Sequence, residues 1–146
     1  MAKNDECYTP QWVFDDLGLH FDLDVCSSYH DLIIVPAEHR YTVEDNSLEK
    51  EWFGRVWMNP PFSDITPFMD KWLDHQNGVC LVPLASNGKW MNRLWNSEAA
   101  WVYMRPNIKF VGASGNPVIM RWRMAVCAFG ESNIEALKKT NWGKIR

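Results

Sequence analysis

Three short stretches of the chain have the polar and apolar pattern of β-strands. Apolar and polar residues alternate over residues 19–26, which predicts a strand that ends near Asp24. Residues 55–58 are mostly apolar and are followed by two prolines, as expected of a buried strand that leads into a loop. Residues 79–84 have the composition of another buried strand.

Helical periodicity fills segments between and after these strands. Thr9-Pro10 and Thr66-Pro67 are interpreted as helix starts, each an N-cap residue followed by proline at the first helical position. Apolar residues recur at helical spacing again over residues 89–96, where Trp95 is predicted to face inward. Residues 132–135 have the pattern of a capping box before a last helix.

Later strands are predicted over residues 101–104 and 118–129, and a further candidate strand over residues 32–35. Strands that alternate with helices favour an α/β sheet with helices on both faces. The length of 146 residues suits a single domain over residues 1–146, with residues 1–7 as a loose leader.

The charge distribution divides the chain into an acidic and a basic part, although the formal net charge is only −3. Residues 1–88 hold 5 Lys or Arg against 15 Asp or Glu, whereas residues 89–146 hold 10 against 3. Such asymmetry is typical of a protein with a polyanionic partner. A solvated basic surface explains it equally well at this point.

Other classes of function find little support in the composition. The four cysteines are scattered without C-x-x-C spacing and the four histidines lack ligand spacing, so neither a metal site nor a disulfide framework is expected. No apolar stretch reaches transmembrane length, and the first residues lack the apolar core of a signal peptide. We therefore expect a protein of the reducing cytosol, with free thiols and no membrane association.

The segment Asn59-Pro60-Pro61-Phe62 is the most specific chemical signal in the chain. It directly follows a predicted strand, and ligands of open α/β sheets bind beyond the carboxyl ends of the strands. Asn59 offers a side-chain acceptor for an amino group on a planar ring, and a Pro-Pro backbone carbonyl offers a second. The prolines hold these acceptors in place, and Phe62 offers a face for stacking. The alternative is a rigid turn after a strand, for which Asn-Pro is a common dipeptide.

Several pieces of sequence occur in a fixed order from Tyr8 to Gly130. They are Tyr8-Thr9-Pro10 with Trp12 and Phe14, residues 21–27, residues 41–48 with Trp52, residues 55–62, Val82-Pro83, Lys89-Trp90 and residues 108–110. In this order they resemble the phage-type DNA adenine methyltransferase family, the small phage Dam-like proteins. The resemblance implies one Rossmann-like methyltransferase domain without a separate target-recognition domain, whose sheet is mostly parallel with an antiparallel C-terminal strand.

The resemblance also implies the cofactor, the substrate and the residues that hold them. The cofactor is S-adenosylmethionine and the substrate is DNA, in the cytoplasm of a bacterial or phage-infected cell. The implied catalytic loop consists of Asn59, Pro60, Pro61 and Phe62. The implied cofactor pocket consists of Tyr8, Thr9, Pro10, Asp24, Cys26 and Asp45. One departure is that the turn after the first strand lacks the glycine that many methyltransferases have there.

The acidic candidates have alternative interpretations. Asp24 ends a predicted strand, where a carboxylate reaches the amino-acid part or the sulfonium side of the cofactor, and a turn or N-cap aspartate is the weaker alternative. Asp45, like Glu44, either contacts the ribose hydroxyls or adenine of the cofactor or is a loop charge or helix cap. These two interpretations of residues 44–45 are equally favoured by the sequence.

Lys89, Arg105 and Lys109 are the predicted contacts to DNA phosphates, since affinity for DNA comes largely from such cations. Trp90 either touches the target strand or belongs to the core. The loop at residues 112–116 either closes over the substrate or is an ordinary hairpin connection.

The expected reaction is methylation of the exocyclic amino group of adenine in DNA, with the flipped base stacked on Phe62. An RNA base or a protein amide nitrogen is an alternative acceptor, because the same loop holds any planar amino group. A catalytically silent module that binds the cofactor or DNA is another alternative. The basic second part of the chain favours a polyanion over a protein, and the intact Asn59-Pro60-Pro61-Phe62 segment argues against a silent module.

Overall fold

The computed structural model describes residues 7–27, 35–84, 89–104, 110–112, 117–118 and 123–146. The strands are β1 Cys7–Tyr8, β2 Phe21–Asp24, β3 Ala37–Arg40, β4 Val56–Met58, β5 Gly78–Pro83, β6 Ala100–Tyr103, β7 Phe110–Gly112, β8 Pro117–Val118 and β9 Met124–Phe129. The helices are α1 Gln11–Leu17, α2 Ile65–His75, α3 Lys89–Trp95 and α4 Glu131–Lys138. Short 3-10 turns lie at Val43–Asp45 and Ser47–Glu49.

Among the described residues, the main sheet has the strand order β3-β2-β4-β5-β9-β6. Its first four strands are mutually parallel, whereas β9 runs antiparallel to both β5 and β6. The observed sheet confirms the predicted α/β class, mostly parallel with an antiparallel C-terminal strand. Strands β4 and β5 are buried along their whole length, which is why they are continuous apolar runs in the sequence.

The helices cover both faces of this sheet, as predicted. Helix α1 and Leu137 of α4 pack with Phe21, Trp57 and Val79 in one buried cluster. Helices α2 and α3 pack with the alternate strand residues, such as Val56 and Met58, in a second cluster. Five strands of the main sheet, β2, β4, β5, β6 and β9, contribute side chains to both clusters.

A smaller sheet of order β1-β7-β8 holds the segment that precedes α1. The single strand predicted over residues 118–129 is wrong, because β8 belongs to this small sheet and β9 to the main one. Pro117 has no backbone N–H, and it lies on an edge strand, where a missing donor costs least. The candidate strand at residues 32–35 lies mostly outside the described residues, and the next strand begins at Ala37.

Three predicted helix starts are displaced by one or two residues. Helix α1 has Pro10 rather than Thr9 as its N-cap, and α2 has Asp64 rather than Thr66. Helix α4 begins after Gly130, so residues 132–135 lie inside the helix instead of forming a capping box. The first helical turn has N–H groups without intrahelical partners, so it tolerates proline at several positions and the motif does not determine the exact start.

The prediction that Trp95 faces inward is also wrong. Its side chain, at the last position of α3, is 54% exposed. Trp90 and Leu94 are the buried residues of that helix, so Trp90 belongs to the core.

No helix in the described part of the chain is long and apolar enough to cross a membrane. Within the same residues, no group of three or more His, Cys, Asp or Glu side chains is arranged to hold a metal ion.

Candidate functional site

The strand order of the main sheet reverses direction at β2. From β2 the chain passes to β3 on one side and then returns to β4 on the other side. In open α/β sheets, ligands bind in the crevice at such a switch point, beyond the carboxyl ends of the strands. We call this side of the sheet the carboxyl edge; it contains Asp24 at the end of β2 and Asn59 just after β4.

The backbones of the two strand ends are directly joined. Asp24 is in register with Trp57, and the Val25 N–H donates to the Trp57 carbonyl at 3.1 Å. Asn59 follows Trp57 by two residues, so the sequence-predicted Asp24 and Asn59 lie on neighbouring strands at the same edge.

Asp24 is a buried carboxyl at this edge, with 3% of its surface exposed. Its Oδ1 accepts a hydrogen bond from the Cys26 N–H at 3.2 Å, and its Oδ2 lies 3.7 Å from Arg40 Nη1. Burial raises the pKa of Asp24 from 3.8 to about 7, and the Cys26 N–H, Arg40 and the Ser27 hydroxyl only partly offset that effect. Buried titratable groups with such shifts are concentrated at functional sites.

Arg40 reaches Asp24 from the end of β3, because β2 and β3 are parallel and the two residues are in register. Its Nη2 donates to the carbonyls of Val35 (2.6 Å) and Ala37 (3.4 Å), which anchors the guanidinium beside the carboxylate. Sequence reasoning missed Arg40, since the neighbouring strand was predicted at residues 32–35. The only signal was an arginine at the end of a short polar segment, which is too common to identify a site.

Cys26, a predicted cofactor contact, lies in the turn that follows β2. Burial and the nearby Asp24 charge raise the pKa of its thiol well above 9.0. The thiol is therefore protonated at neutral pH and is not a nucleophile there, and its contact with a cofactor stays a prediction.

Asn59 and Thr9 meet although they are far apart in sequence. Asn59 Nδ2 donates to Thr9 Oγ1 at 3.4 Å, and Asn59 Oδ1 is buried. Thr9 is 4% exposed and directly follows β1, which pairs with β7 in the small sheet. The small sheet thus brings Thr9, with Pro10 next to it, to the carboxyl edge beside Asn59.

The rest of the proline loop turns the chain from β4 into α2. Pro60 is buried, and the Pro61 carbonyl accepts a hydrogen bond from the Asp64 N–H at 3.0 Å. This bond uses the Pro61 carbonyl within the turn and leaves the carbonyl of Pro60 as the candidate second acceptor. Phe62 is half-buried and packs against both core clusters, which places its ring across the end of the sheet.

Asp45 makes a local cap in the 3-10 turn that follows β3. Its Oδ2 accepts hydrogen bonds from the Thr42 N–H at 2.7 Å and from Thr42 Oγ1 at 3.2 Å, and Lys50 Nζ lies 3.9 Å from its Oδ1. These groups, the Thr42 N–H above all, lower the pKa of Asp45. The contacts match the cap interpretation of this residue, and its role toward a cofactor stays a prediction.

The predicted DNA contacts are only partly described. Lys89 is exposed at the first position of α3, the element that follows β5 beyond the carboxyl edge. Arg105 and Lys109 lie outside the described residues, as does most of the loop at residues 112–116. For Tyr8, only the backbone is described, as part of β1.

The model of the family described as DNA N-6-adenine-methyltransferase (Dam) matches residues 1–121 of the chain. No curated protein and no solved structure matches. The matched segment contains every sequence-predicted site residue, from Tyr8 to Lys109.

Proposed function

Because the chain belongs to the DNA N-6-adenine-methyltransferase (Dam) family, we propose that it transfers a methyl group from S-adenosylmethionine to the exocyclic amino group of adenine in DNA. The observation that carries this proposal is the juxtaposition of Asp24 and the Asn59 loop at the switch point of the sheet. One group suits a cationic ligand and the other suits a planar amino group, and they lie on adjacent strands.

The residues of the carboxyl edge fit S-adenosylmethionine in their chemistry. A buried carboxyl whose pKa is raised to about 7 is costly to ionise alone, and a cationic ligand relieves that cost. Asp24 would therefore hold the ammonium or face the sulfonium of the cofactor, with Cys26, Thr9 and Pro10 as neighbours. When bound, the cofactor supplies the electrophilic methyl carbon that the amino nitrogen attacks in line.

The Asn59 loop would hold the target amino group. The lone pair of that nitrogen is delocalised into the adenine ring, so the nitrogen is a poor nucleophile until its N–H groups are held by acceptors. Asn59 Oδ1 and the Pro60 carbonyl are the two acceptors, and Thr9 keeps the amide orientation by accepting a hydrogen bond from Asn59 Nδ2. Acceptors fixed in advance need not reorganise as positive charge develops on the nitrogen.

The remaining residues would position the base and allow the proton to leave. A base within a duplex is inaccessible, so adenine must be extruded, and the ring of Phe62 at the end of the sheet offers it a stacking surface. The nitrogen becomes strongly acidic once it is methylated and positively charged, so its proton passes to solvent without a dedicated base.

Transfer of a labelled methyl group tests the proposal directly. The full chain is incubated with methyl-labelled S-adenosylmethionine and with duplex DNA, RNA or a protein mixture, and the modified nucleoside is identified by mass spectrometry. We expect N6-methyladenine in DNA and strongly reduced incorporation by Asn59→Ala. Incorporation into RNA or protein alone, or cofactor binding in calorimetry without turnover on any DNA, would contradict the proposal.

A further inference from the structure

Arg40 has a buried nitrogen with unused hydrogen-bond donors. Its Nη1 atom is buried and has no hydrogen-bond partner among the residues that the structure describes. The side chain as a whole is 25% exposed, so Arg40 lies at the boundary between the core and the surface. Because buried polar groups in proteins are nearly always hydrogen-bonded, an unpaired buried donor at a candidate site points to a ligand that accepts from it.

The other terminal nitrogen of the same guanidinium is already occupied. Nη2 donates to the carbonyls of Val35 and Ala37, at 2.6 and 3.4 Å. Nη1 lies 3.7 Å from Asp24 Oδ2, which is close enough for an ion pair but longer than a hydrogen bond. The backbone contacts therefore fix the guanidinium beside Asp24 and leave Nη1 as the nitrogen that can meet a ligand.

Two other arginines of the chain are engaged by protein groups at both terminal nitrogens. Arg93 Nη1 lies 3.0 Å from Asp70 Oδ1, and its Nη2 contacts Asp74. All three guanidinium nitrogens of Arg55 donate to neighbouring residues. These contacts join elements of the fold, whereas Arg40 keeps one buried nitrogen without a hydrogen-bond partner in the described part of the chain.

Asp24 and Arg40 present opposite charges side by side at the carboxyl edge. They end the parallel strands β2 and β3 and are in register with each other. An α-amino acid carries its ammonium and its carboxylate on one carbon, so two neighbouring opposite charges complement both groups at once. A ligand with only one sign of charge would be attracted by one side chain and repelled by the other.

We propose that Asp24 and Arg40 together bind the amino-acid end of S-adenosylmethionine, with the ammonium at Asp24 and the carboxylate at Arg40 Nη1. This inference rests on the proposed function. It assigns Asp24 to the ammonium rather than to the sulfonium, and it makes Arg40 the residue that selects a cofactor with a free carboxylate.

Such a ligand would complete the contacts that both side chains lack. Its carboxylate would accept a hydrogen bond from the buried Nη1 donors. Its ammonium would favour the ionised form of Asp24, whose pKa is raised to about 7 by burial. A DNA phosphate is a poorer match for this pair, because it would bring only negative charge next to Asp24.

The test uses ligands that differ by a single group and needs no catalytic turnover. The full chain is titrated by calorimetry with S-adenosylhomocysteine and with its decarboxylated analogue, in which hydrogen replaces the carboxylate. We expect the wild type to prefer S-adenosylhomocysteine by roughly 10–100-fold, the range for hydrogen bonds to charged groups. Equal affinities of the wild type for the two ligands would overturn the proposal.

Variants of Arg40 show whether this residue causes the preference. For Arg40→Gln we expect the ratio of the two affinities to fall to about threefold or less, because only the ligand with a carboxylate loses a contact. Arg40→Lys keeps the charge without the two-nitrogen geometry, so its ratio should lie between those of the wild type and Arg40→Gln. The ratio cancels any change at Asp24, since both ligands carry the ammonium.

The matched control is Arg55→Gln, which removes an arginine at the opposite edge of the sheet. We expect this control to be less stable than the wild type but to keep the wild-type ratio. If Arg40 only stabilised the fold, Arg40→Gln would weaken both ligands equally and would likewise keep the ratio, which would overturn the proposal.

A second ligand pair tests the ammonium site in the wild type without any substitution. S-adenosylhomocysteine has no sulfonium, so we expect its affinity to rise about tenfold from pH 6 to pH 8 through the ammonium at Asp24. The deaminated analogue, which keeps the carboxylate, should not bind more tightly as pH rises. An equal rise for both ligands would show that the ammonium does not lie at Asp24.

The outcomes separate this inference from the proposed function. If Arg40→Gln keeps the wild-type ratio while the wild type still produces N6-methyladenine in DNA, the assignment of Arg40 is wrong and the proposed function stands. If the wild type binds neither S-adenosylmethionine nor S-adenosylhomocysteine and methylates no DNA, both are wrong.

Discussion

The two edges of the main sheet use similar polar residues in opposite ways. At the amino edge, where β2 and β4 begin, Arg55 Nε donates to Asn133 Oδ1 at 2.7 Å, and the Arg55 N–H donates to Asp22 Oδ2 at 2.7 Å. At the carboxyl edge, Asp24 and Arg40 are separated by 3.7 Å and the Asn59 contact to Thr9 is 3.4 Å. Asp22 and Asp24 are on the same four-residue strand.

The amino edge is a polar network in which the groups satisfy one another. Asn133 is fully buried, and its Nδ2 donates to Asn77 Oδ1 and to the Phe129 carbonyl, each at 2.8 Å. Gly54, with φ of +65°, lets the chain pass against Asp22, since a Cβ at this position would lie 2.2 Å from Asp22 Oδ2. Close, mutually satisfied contacts of this kind stabilise the fold and leave little for a ligand to bind.

The carboxyl edge is arranged the other way. Asp24 is a buried titratable group with Arg40 3.7 Å away, and burial raises its pKa to about 7 in spite of its partners. The comparison teaches that the environment of a carboxyl group, rather than its residue type, separates a stabilising edge from a candidate ligand-binding edge. Each prediction below tests one side of that contrast.

The largest effect is expected from Asn59→Ala. Loss of one fixed acceptor for the target amino group should lower kcat about 10²–10³-fold, as for other preorganised hydrogen-bonding groups. The Kd for the cofactor should change little, because Asn59 is proposed to hold the target amino group and not the cofactor. Single-turnover kinetics would measure kcat, and calorimetry would measure the Kd for the cofactor. A large fall in stability with a normal kcat would show that Asn59 stabilises the fold and does not hold the target amino group.

At the amino edge, Asn133→Ala should have the opposite effect, a loss of stability without a loss of kcat. The substitution removes hydrogen bonds to Arg55, Asn77 and the Phe129 carbonyl, so the free energy of unfolding should fall by about 2–4 kcal/mol. The kcat of the protein that remains folded should be unchanged. Urea denaturation measures the stability, and kcat is measured per folded molecule. A lower kcat in a protein of normal stability would contradict the assignment of the amino edge to fold stability.

A change of intermediate size is expected in the free energy of unfolding as pH changes the protonation of Asp24. Between its ordinary pKa of 3.8 and its folded pKa of about 7, the folded state holds a proton that the unfolded state has lost. This group's contribution to the free energy of unfolding therefore falls as pH rises through that window and is constant above it. Asp24→Asn should melt at a higher temperature than the wild type at pH 8, and at a similar temperature at pH 4.

Cofactor binding should follow the same titration in the opposite direction. If the ionised carboxylate holds a cationic ligand, affinity should rise about tenfold from pH 6 to pH 8 and level off above. Calorimetry over this range measures it, with Asp24→Asn as a variant whose binding is weak and independent of pH. A flat wild-type profile would remove Asp24 from the cofactor site.

The smallest effect is expected at Thr9, which we regard as a positioning residue. Thr9→Val keeps the shape but removes the acceptor for Asn59 Nδ2, so kcat should fall about two- to tenfold, the value of one neutral hydrogen bond. Thr9→Ser should restore most of the rate with an unchanged KM for DNA. Equal rates for the valine and serine variants would show that the hydroxyl does not orient Asn59.

Much of the candidate site was predictable because its signals are local. The proline loop at residues 59–62 carries its own rigidity, and β4 before it is a continuous apolar run. The aspartate at the end of an alternating segment, Asp24, was identified for the same reason. The helix starts were predicted less precisely, since Thr9 and Thr66 have N-cap chemistry but neighbouring residues occupy the cap positions.

What the amino-acid sequence determined by itself is the type of most elements of the main domain, the two strand ends with candidate site residues and the uneven distribution of charge. These follow from periodicity and backbone restriction, which act within a few residues. The tertiary structure alone decided that Arg40 faces Asp24, that Thr9 reaches Asn59 and that Arg123 and Arg146 lie over the rings of β6. Those contacts depend on the order and register of strands, and hydrogen bonding between backbones carries no local sequence pattern that specifies which strands become neighbours.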